Sequence, residues 1–516
     1  MPRAAARGTR KSRGRIVMLV DNSVHNDSRV QKQARSAADM GWDVFLIGKS
    51  PSKGRENFRL GRAKVRLVPV KRRMSRRGYE LRGGLRRGSV SYPSRRIAKF
   101  RRAKAEAHVL DARMSRMRAR LAADESGGGV RSQARLGLTK VALGASLAEN
   151  AWVTRRAEST RRVFGAPSRL ESPAGAVVTA AVSRVLGDRA WRVLHPHRWD
   201  FELAYMRLID KLRPDIIHAN DFGTIGIGAN AAVRARSEGR PVKLVYDAHE
   251  YVPGISRSVH PWWLPAQIAY EREFIGEADA VITVSEVLAG MLQETHGLPE
   301  TPTVVLNAPY VGDMRLSDTP VPRMRDLCGI DETVPLLTYS GGMAPQRGVQ
   351  IMVEALPRLP EAHVAFVTAT PTSTFVEGLM KRAQELGVRE RVHLLPYVAP
   401  EHVVEYVAAA DVGVHPTHHH PNHEISLATK FFEYSHARLP IVVSDVKTMS
   451  EMVRHSGQGE VFRAEDLDDY VRAVTAVLEQ PEKYRAAYDR PGLLDEWTWE
   501  KQAEVLDGVY ERLLRG

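Results

Sequence analysis

Two apolar patterns alternate along most of this chain. Short unbroken runs such as Ile16–Val20, Val242–Tyr246 and Ile441–Val443 read as strands buried on both faces, whereas apolar positions three and four residues apart read as helices with one face inward. Val30, Ala34, Ala37 and Ala38 mark such a helix over Asp27–Met40, ended by Gly41, between strands expected at Arg15–Val20 and Trp42–Gly48. The alternation resumes at Asp200, with a strand entry at Arg213–His218 and strands at Val242–Asp247 and Asp279–Val284. A second series follows at Leu336–Ser340, Ala362–Thr368, Val392–Leu394, Val412–His415 and Ile441–Val443, and a last helix covers Trp499–Leu514. Strands separated by helices predict an α/β protein with parallel sheets covered on both faces.

The rhythm breaks from Lys71 to about Arg198. Within this stretch Phe100, Ala103, Ala107, Leu110, Met114, Met117 and Leu121 recur at alternating spacings of three and four, a heptad seam on an otherwise Arg-rich helix. Ser126-Gly127-Gly128-Gly129 ends it, and apolar segments at Leu136–Val153 and Ala174–Leu186 supply further helices, so a helical hairpin or small bundle is expected. The turn Asn307-Ala308-Pro309 and the Pro-rich stretch through Pro322 mark a hinge. The expected organisation is a disordered basic tail over residues 1–14, a first α/β domain over 15–312 interrupted by the basic insertion at about 71–198, a second over 313–494, and a terminal helical segment over 495–516.

At 516 residues with 43% hydrophobic content, the chain exceeds what one core usually supports. Its formal net charge of +16 and pI near 9.9 first suggest nucleic acid or an anionic membrane. Lys71–Arg135 holds 20 basic and 5 acidic residues and Met1–Arg15 adds six cations, so the remainder is slightly acidic. The charge belongs to a tail and an insertion. A nucleic-acid surface needs aromatics among its arginines, and Tyr92 and Phe100 are nearly alone there, so no nucleic-acid partner is expected. The single Cys328 allows no intrachain disulfide and fits a reducing, cytoplasmic setting. No apolar run is long enough to span a bilayer, and the strand–helix–strand opening lacks the glycine fingerprint of a dinucleotide site.

Chemistry concentrates at a few strand ends. In SLATKFFEYSHARLPIVVSD, Ser426–Asp445, either Ser426 or Thr429 is placed to cap a helix over Lys430–His436, and Leu439-Pro440 stops it before the strand. Amides at such a helix start attract phosphate, and Glu433 can accept both hydroxyls of a ribose. YSGGMAPQRG, Tyr339–Gly348, closes one strand and opens a helix at about Val349. Gly341 and Gly342 let backbone amides approach a pyrophosphate, while Arg347 offers a permanent bidentate charge to a leaving diphosphate. His415, His418, His419, His420, His423 and Glu424 raise zinc, but three consecutive histidines in a loop cannot all face one ion; a polar, sugar-facing loop and no metal site are expected. His218-Ala219-Asn220-Asp221 and Tyr246-Asp247-Ala248-His249-Glu250-Tyr251 end neighbouring strands of the first domain, where His249 reads either as a site residue or as a neutral imidazole satisfied in the core.

These segments together resemble glycosyltransferase family 4, the group 1 glycosyltransferases, whose donor motif runs from a lysine through two hydrophobic residues to glutamate-tyrosine and then to a Pro-Val-Val strand. DSRVQKQARSAADMGWDVFLIG is similar to the family's first strand–helix unit, and Ser285-Glu286 to its V-S motif. The resemblance implies the GT-B fold, two Rossmann-like domains facing across a cleft, here with a basic helical insertion in the first. It makes that first domain acceptor-side and the second the nucleotide-sugar-binding one, with the terminal helix crossing back to the first. It implies Gly341, Gly342, Arg347, Lys430 and Glu433 as donor-binding, His249, Arg347 and Glu424 as catalytic, and Asn220, Asp221, His249 and Glu250 as acceptor-side. Arg347 stands in the place of the family's loop lysine, Gly342 where a phosphate-binding arginine is usual, and Asn220 where the second histidine of a His-x-His turn is usual. The family's first glutamate falls at Ile425; either a one-residue bulge brings Glu424 to the sugar, or backbone groups serve there.

The function so implied is retaining transfer of a hexose-type sugar from a nucleotide-diphosphate sugar to an acceptor hydroxyl, in polysaccharide or glycolipid assembly. It needs no cofactor beyond that co-substrate. The partners are the nucleotide sugar, a glycan or lipid-linked acceptor and, through Lys71–Arg135, an anionic membrane surface at the inner face of the plasma membrane. A nucleotide-sugar epimerase of the same fold is the rival reading.

Overall fold

The computed structural model describes residues 12–25, 27–74, 92, 95–125, 129–160, 174–255, 262–311, 321–399 and 402–515. The tail through Lys11, the arginines of 75–91, most of the glycine run after Glu125 and the linker at 312–320 lie outside these residues. Contacts divide the chain into two units, one of Met1–Ile282, Thr295–Glu300 and Val509–Gly516, the other of Thr283–Glu294 and Thr301–Gly508.

In the first unit β1 (Arg15–Leu19), β2 (Asp43–Lys49), β3 (Glu56–Leu60), β4 (Ala63–Val68), β5 (Ile216–Asn220), β6 (Lys243–Ala248) and β7 (Ala280–Thr283) lie in the order β3-β4-β2-β1-β5-β6-β7. β1 pairs in parallel with β2 and β5, with Ile16 opposite Val44 on one side and Ile216 on the other. Ile16 to Leu19 are wholly buried, as an unbroken apolar run demands. The helix Ser28–Asp39 is capped by Asp27, whose carboxylate accepts from Val30 N. β3 and β4 form an antiparallel hairpin that the sequence reading lacked, since ENFRL on an exposed edge has no apolar run to announce it.

In the second unit, after the two-residue β8 (Thr303–Val304), come β9 (Leu336–Ser340), β10 (His363–Thr368), β11 (Val392–Pro396), β12 (Val412–His415), β13 (Ile441–Ser444) and β14 (Gly459–Phe462). The last six form a sheet in the order β11-β10-β9-β12-β13-β14, with each neighbouring pair parallel. Its helices bury Val349, Met352, Val376 and Val474 on one face and Phe431, Phe432 and Trp497 on the other.

The insertion contributes the helices Arg95–Glu125, Val130–Thr160 and Ala174–Leu186. The heptad seam is partly covered: Phe100, Ala103, Ala107 and Met114 are buried, Leu110, Met117 and Leu121 are half-buried, and Ala105, Val109 and Ala119 on the adjoining face are buried. Arg118 ties the helix to Glu277 at 2.8 Å and to Asn230 at 3.0 Å, and Arg192 bridges Asp111 and Glu273. The buried seam residues therefore pack within the first unit. Among the described residues no helix is long and apolar enough to cross a membrane.

Candidate active site

The second sheet changes direction at β9. The chain leaves β9 for β10 on one side and later fills β12 on the other, so a crevice opens beyond the carboxyl ends of β9 and β12, where open α/β sheets take their ligands. Gly341, just past β9, has φ +148° and its amide donates to Val367 O at 3.0 Å. A short turn over Pro345–Arg347 ends at Gly348, φ +69°. A Cβ on Gly348 would fall 1.8 Å from Pro416 O, so only glycine lets the two loops touch, and His418 N donates to Gln346 O at 3.1 Å across the same seam. Around Gly342 the space is open. The guanidinium of Arg347 makes no ion pair or hydrogen bond among the described residues.

The helix Thr429–His436 is fixed to this crevice by Tyr434. Its hydroxyl accepts from Ser340 N at 3.0 Å, and its ring lies so close over Gly413 that a Cβ there would be 2.5 Å away. That register brings Glu433, almost fully buried, and Lys430 together at 2.8 Å. The cap differs from expectation: Ala428 is the N-cap and makes no side-chain bond, while Thr429 is the first helical residue and accepts from Asn307 Nδ2 at 2.8 Å. The helix stops where Arg438 takes a left-handed φ of +57° ahead of Pro440. Burial, then the nearby charge of Arg347 with a smaller share from Lys430, depresses His415 to about 3. A neutral imidazole thus sits within electrostatic reach of both cations.

The following loop settles its own charges. His419 lies between Glu424 Oε1 at 2.6 Å and Asp445 Oδ1 at 3.1 Å, and its hydrogen bond to Glu424 raises its pKa. The other oxygen of Glu424 accepts from Lys447 N at 2.7 Å, at the start of the helix Lys447–Ser456. Both oxygens are thus engaged by protein groups, and Glu424 ends a short helical turn, Pro421–Glu424. The carbonyl of Ile425, in the position of the family's first glutamate, accepts from Ser285 Oγ at 2.7 Å. Among the described residues no cluster of three or more His, Cys, Asp or Glu is placed to hold a metal. Burial pushes the half-buried Cys328 up to about 11, which leaves it a protonated thiol at neutral pH.

The first sheet has its own switch point, where β1 adjoins β2 and β5. Asp247, wholly buried near the end of β6, takes both arms of Arg29 at 2.9 Å and Gln33 Nε2 at 2.6 Å. His249 Nε2 stands 3.2 Å from the same carboxylate and His218 Nε2 3.9 Å from it, while His218 Nδ1 meets the Tyr510 hydroxyl at 2.6 Å. Burial lowers His218. Burial acts the same way on His249, but Asp247 outweighs it and raises the imidazole above its ordinary value. Asp221, at φ +63°, accepts from its neighbour Phe222 N at 2.7 Å and donates its own amide to Asp247 O. Burial, with Asp21 and Glu250 adding to it and His249 opposing, pushes Asp221 up to about 7. Asn220 donates to Leu19 O, and its buried Oδ1 has no hydrogen-bond partner among the described residues; Glu250 is exposed. The structure thus gathers Asn220, Asp221 and His249 at one strand edge, around Asp247, Arg29 and Gln33, to which the sequence reading gave no role. Arg29 and Gln33, one turn apart on the inward face of an amphipathic helix, were the available signal.

Comparison with known proteins agrees with this architecture. A profile described as Glycosyl transferases group 1 matches residues 322–490, and one described as Glycosyltransferase Family 4 matches residues 160–308. The chain belongs to the group 1 glycosyltransferases of family 4 and is a transferase enzyme. It is 24% identical over 331 residues to an uncharacterized glycosyltransferase of Methanocaldococcus jannaschii, covering 62% of this chain and 82% of that one. It is 26% identical over 318 residues to glycogen synthase of Mycobacterium tuberculosis, covering 59% and 70%. Sucrose-phosphate synthase from Thermosynechococcus elongatus superposes with a TM-score of 0.57 at 14% identity, covering 98% of this chain and 100% of that one, which shows the fold as GT-B.

Proposed function

We propose that the protein transfers a hexose-type sugar from a nucleotide-diphosphate sugar to an acceptor hydroxyl with retention of configuration, in a reducing, cytoplasmic setting and without a metal. The observation that carries this reading is the crevice past β9. There Arg347, with no ion pair or side-chain hydrogen bond among the described residues, and Lys430 of the buried Lys430–Glu433 pair both lie within electrostatic reach of His415, and the space around Gly342 is open. Glu433 is the ribose acceptor, Arg347 and the Gly342 amide hold the diphosphate where Gly341 lets the backbone come close, and Arg347 gains most as charge grows on the leaving oxygen. In front-face transfer the bond from the anomeric carbon to the diphosphate oxygen breaks, the acceptor oxygen bonds from the same side, and that diphosphate oxygen takes the acceptor proton. No carboxylate pair of the glycosidase kind is needed.

On the first unit, His249 meets the sugar or the acceptor, with its ring presented by Asp247. Asn220, Asp221 and Glu250 border the acceptor, a glycan or lipid-linked alcohol in polysaccharide or glycolipid assembly. Glu424, held by His419 and Lys447, shapes the sugar loop, and the carbonyls near Ile425 stand where the family's first glutamate would. Incubation with a panel of nucleotide sugars tests the reading. One sugar is expected to be consumed with release of nucleoside diphosphate and formation of a glycoside of unchanged anomeric configuration. An inverted product would overturn retention, and sugar isomerisation without diphosphate release would favour the epimerase.

A further inference from the structure

We propose that the outward face of the helix Val130–Thr160 docks this protein on an anionic lipid surface. The helix is apolar on two sides. Its inner side gives Val153 and Ala157 to a small core with Tyr92, Ala98 and Ala105, and His108 of the neighbouring helix meets Glu149 at 3.1 Å. The side turned away repeats Ala134, Leu138, Val141, Ala145, Ala148 and Trp152 at alternating steps of four and three, all of them exposed. Leu138 and Val141 each keep 72% of their surface and Trp152 51%. The stripe runs for about 27 Å at 1.5 Å per residue. Monomeric soluble proteins rarely leave so long an apolar stripe uncovered.

The rim decides the occupant. Arg131, Arg135 and Lys140 flank the stripe and Arg155 closes its end, while no carboxylate occurs between Arg131 and Glu149. Arg156 lies over the Trp152 ring at 4.9 Å. Cations around apolar side chains suit a helix lying in the plane of an anionic interface, its aromatic and aliphatic groups among the acyl chains and its arginines at the headgroups. A second copy fits worse: parallel pairing sets these cations against themselves, and antiparallel pairing about the middle of the stripe sets Arg131 against Arg155. The surface differs from the heptad seam and does not depend on the transfer chemistry proposed above.

Flotation of the full chain with vesicles tests it, using phosphatidylcholine alone and phosphatidylcholine with about 30% phosphatidylglycerol, at low and high salt. The intact protein is expected to float with anionic vesicles at low salt, to do so less at high salt, and to stay behind with neutral ones. Leu138→Glu with Val141→Glu, both exposed and so compatible with the fold, should weaken this binding about tenfold or more. Arg135→Glu with Lys140→Glu should remove the preference for anionic lipid. Donor consumption in vesicle-free solution should be the same in both variants as in the intact chain, so loss of lipid binding leaves the transfer reading intact. The proposal is overturned if the intact protein does not float with anionic vesicles at low salt, or if the double glutamate variant floats as the intact chain does. It is also overturned if that variant instead abolishes a dimer seen by sedimentation.

Discussion

Asp247 in the first unit and Arg347 in the second both stand near strand ends at a sheet's switch point, yet their surroundings are opposite. Asp247 is wholly buried and answered from several sides by Arg29, Gln33 and His249. Arg347 is partly open, with no carboxylate on it among the described residues and a neutral His415 nearby. A charge that the fold has already neutralised sets shape, because moving it would expose a buried partner. A charge that the fold leaves unanswered is available to a ligand, and more so to a transition state that carries more negative charge than the ground state. On the function proposed above, the first site serves positioning and the second charge stabilisation.

Four substitutions test this contrast. Asp247→Ala should have the largest effect on the fold, about 3–5 kcal/mol of unfolding free energy, because it strips from buried Arg29 the carboxylate that takes both its arms. Denaturant unfolding would read it, and a loss under 1 kcal/mol would mean the network is not structural. Arg347→Ala should leave unfolding almost unchanged while lowering kcat about 10²–10³-fold, more than it weakens donor binding. Equal losses in kcat and in donor affinity would place Arg347 in ground-state binding alone. Glu433→Ala should weaken donor binding by about 1.5–3 kcal/mol, the range for hydrogen bonds to a charged group, as titration calorimetry with the nucleoside diphosphate would show. Near-normal affinity in a folded variant removes the ribose assignment.

The fourth test uses pH. Asp221 is pushed up to about 7 in the folded chain, so the stability tied to its proton is fully present below the usual carboxylate range and is lost as pH rises through 7. Asp221→Asn, which keeps a side chain at ease with positive φ, should therefore match the intact protein at pH 4 and exceed it at pH 8, by at most about 4 kcal/mol and by less as solvent screens the half-buried carboxylate. An equal gain at both pH values would trace the effect to backbone preference instead.

How much of this was legible follows from what each element needs. Strands buried on both faces must be nearly all apolar, so Ile16–Leu19, Leu336–Ser340 and Ile441–Val443 appear in the sequence almost to the residue. β3 and β14 have exposed or half-buried positions, and ENFRL and GEVF carry too little apolar signal to stand out. The motif residues of the crevice were legible because glycines, Arg347 and the Lys430–Glu433 pair cluster at strand ends in a recognisable spacing. Their supports were not: Tyr434 was one letter of a motif, and nothing local in the sequence says that its hydroxyl reaches the amide of Ser340, 94 residues earlier. The heptad seam was legible as a pattern but not as to what covers it, since apolar spacing specifies a buried face without naming its partner.

The contact between Gly348 and the carbonyl of Pro416 bears on how this enzyme can be redesigned. Anyone diversifying the Tyr339–Gly348 loop to change donor preference meets two neighbouring glycines of opposite kinds. Position 342 faces open space and can carry a library of side chains, including the arginine usual in the family. At position 348 any side chain at all drives a carbon into a backbone oxygen, so the library collapses to one letter. New donor chemistry is best sought by installing groups at 342 while 348 is kept as the fixed hinge pin between the two loops.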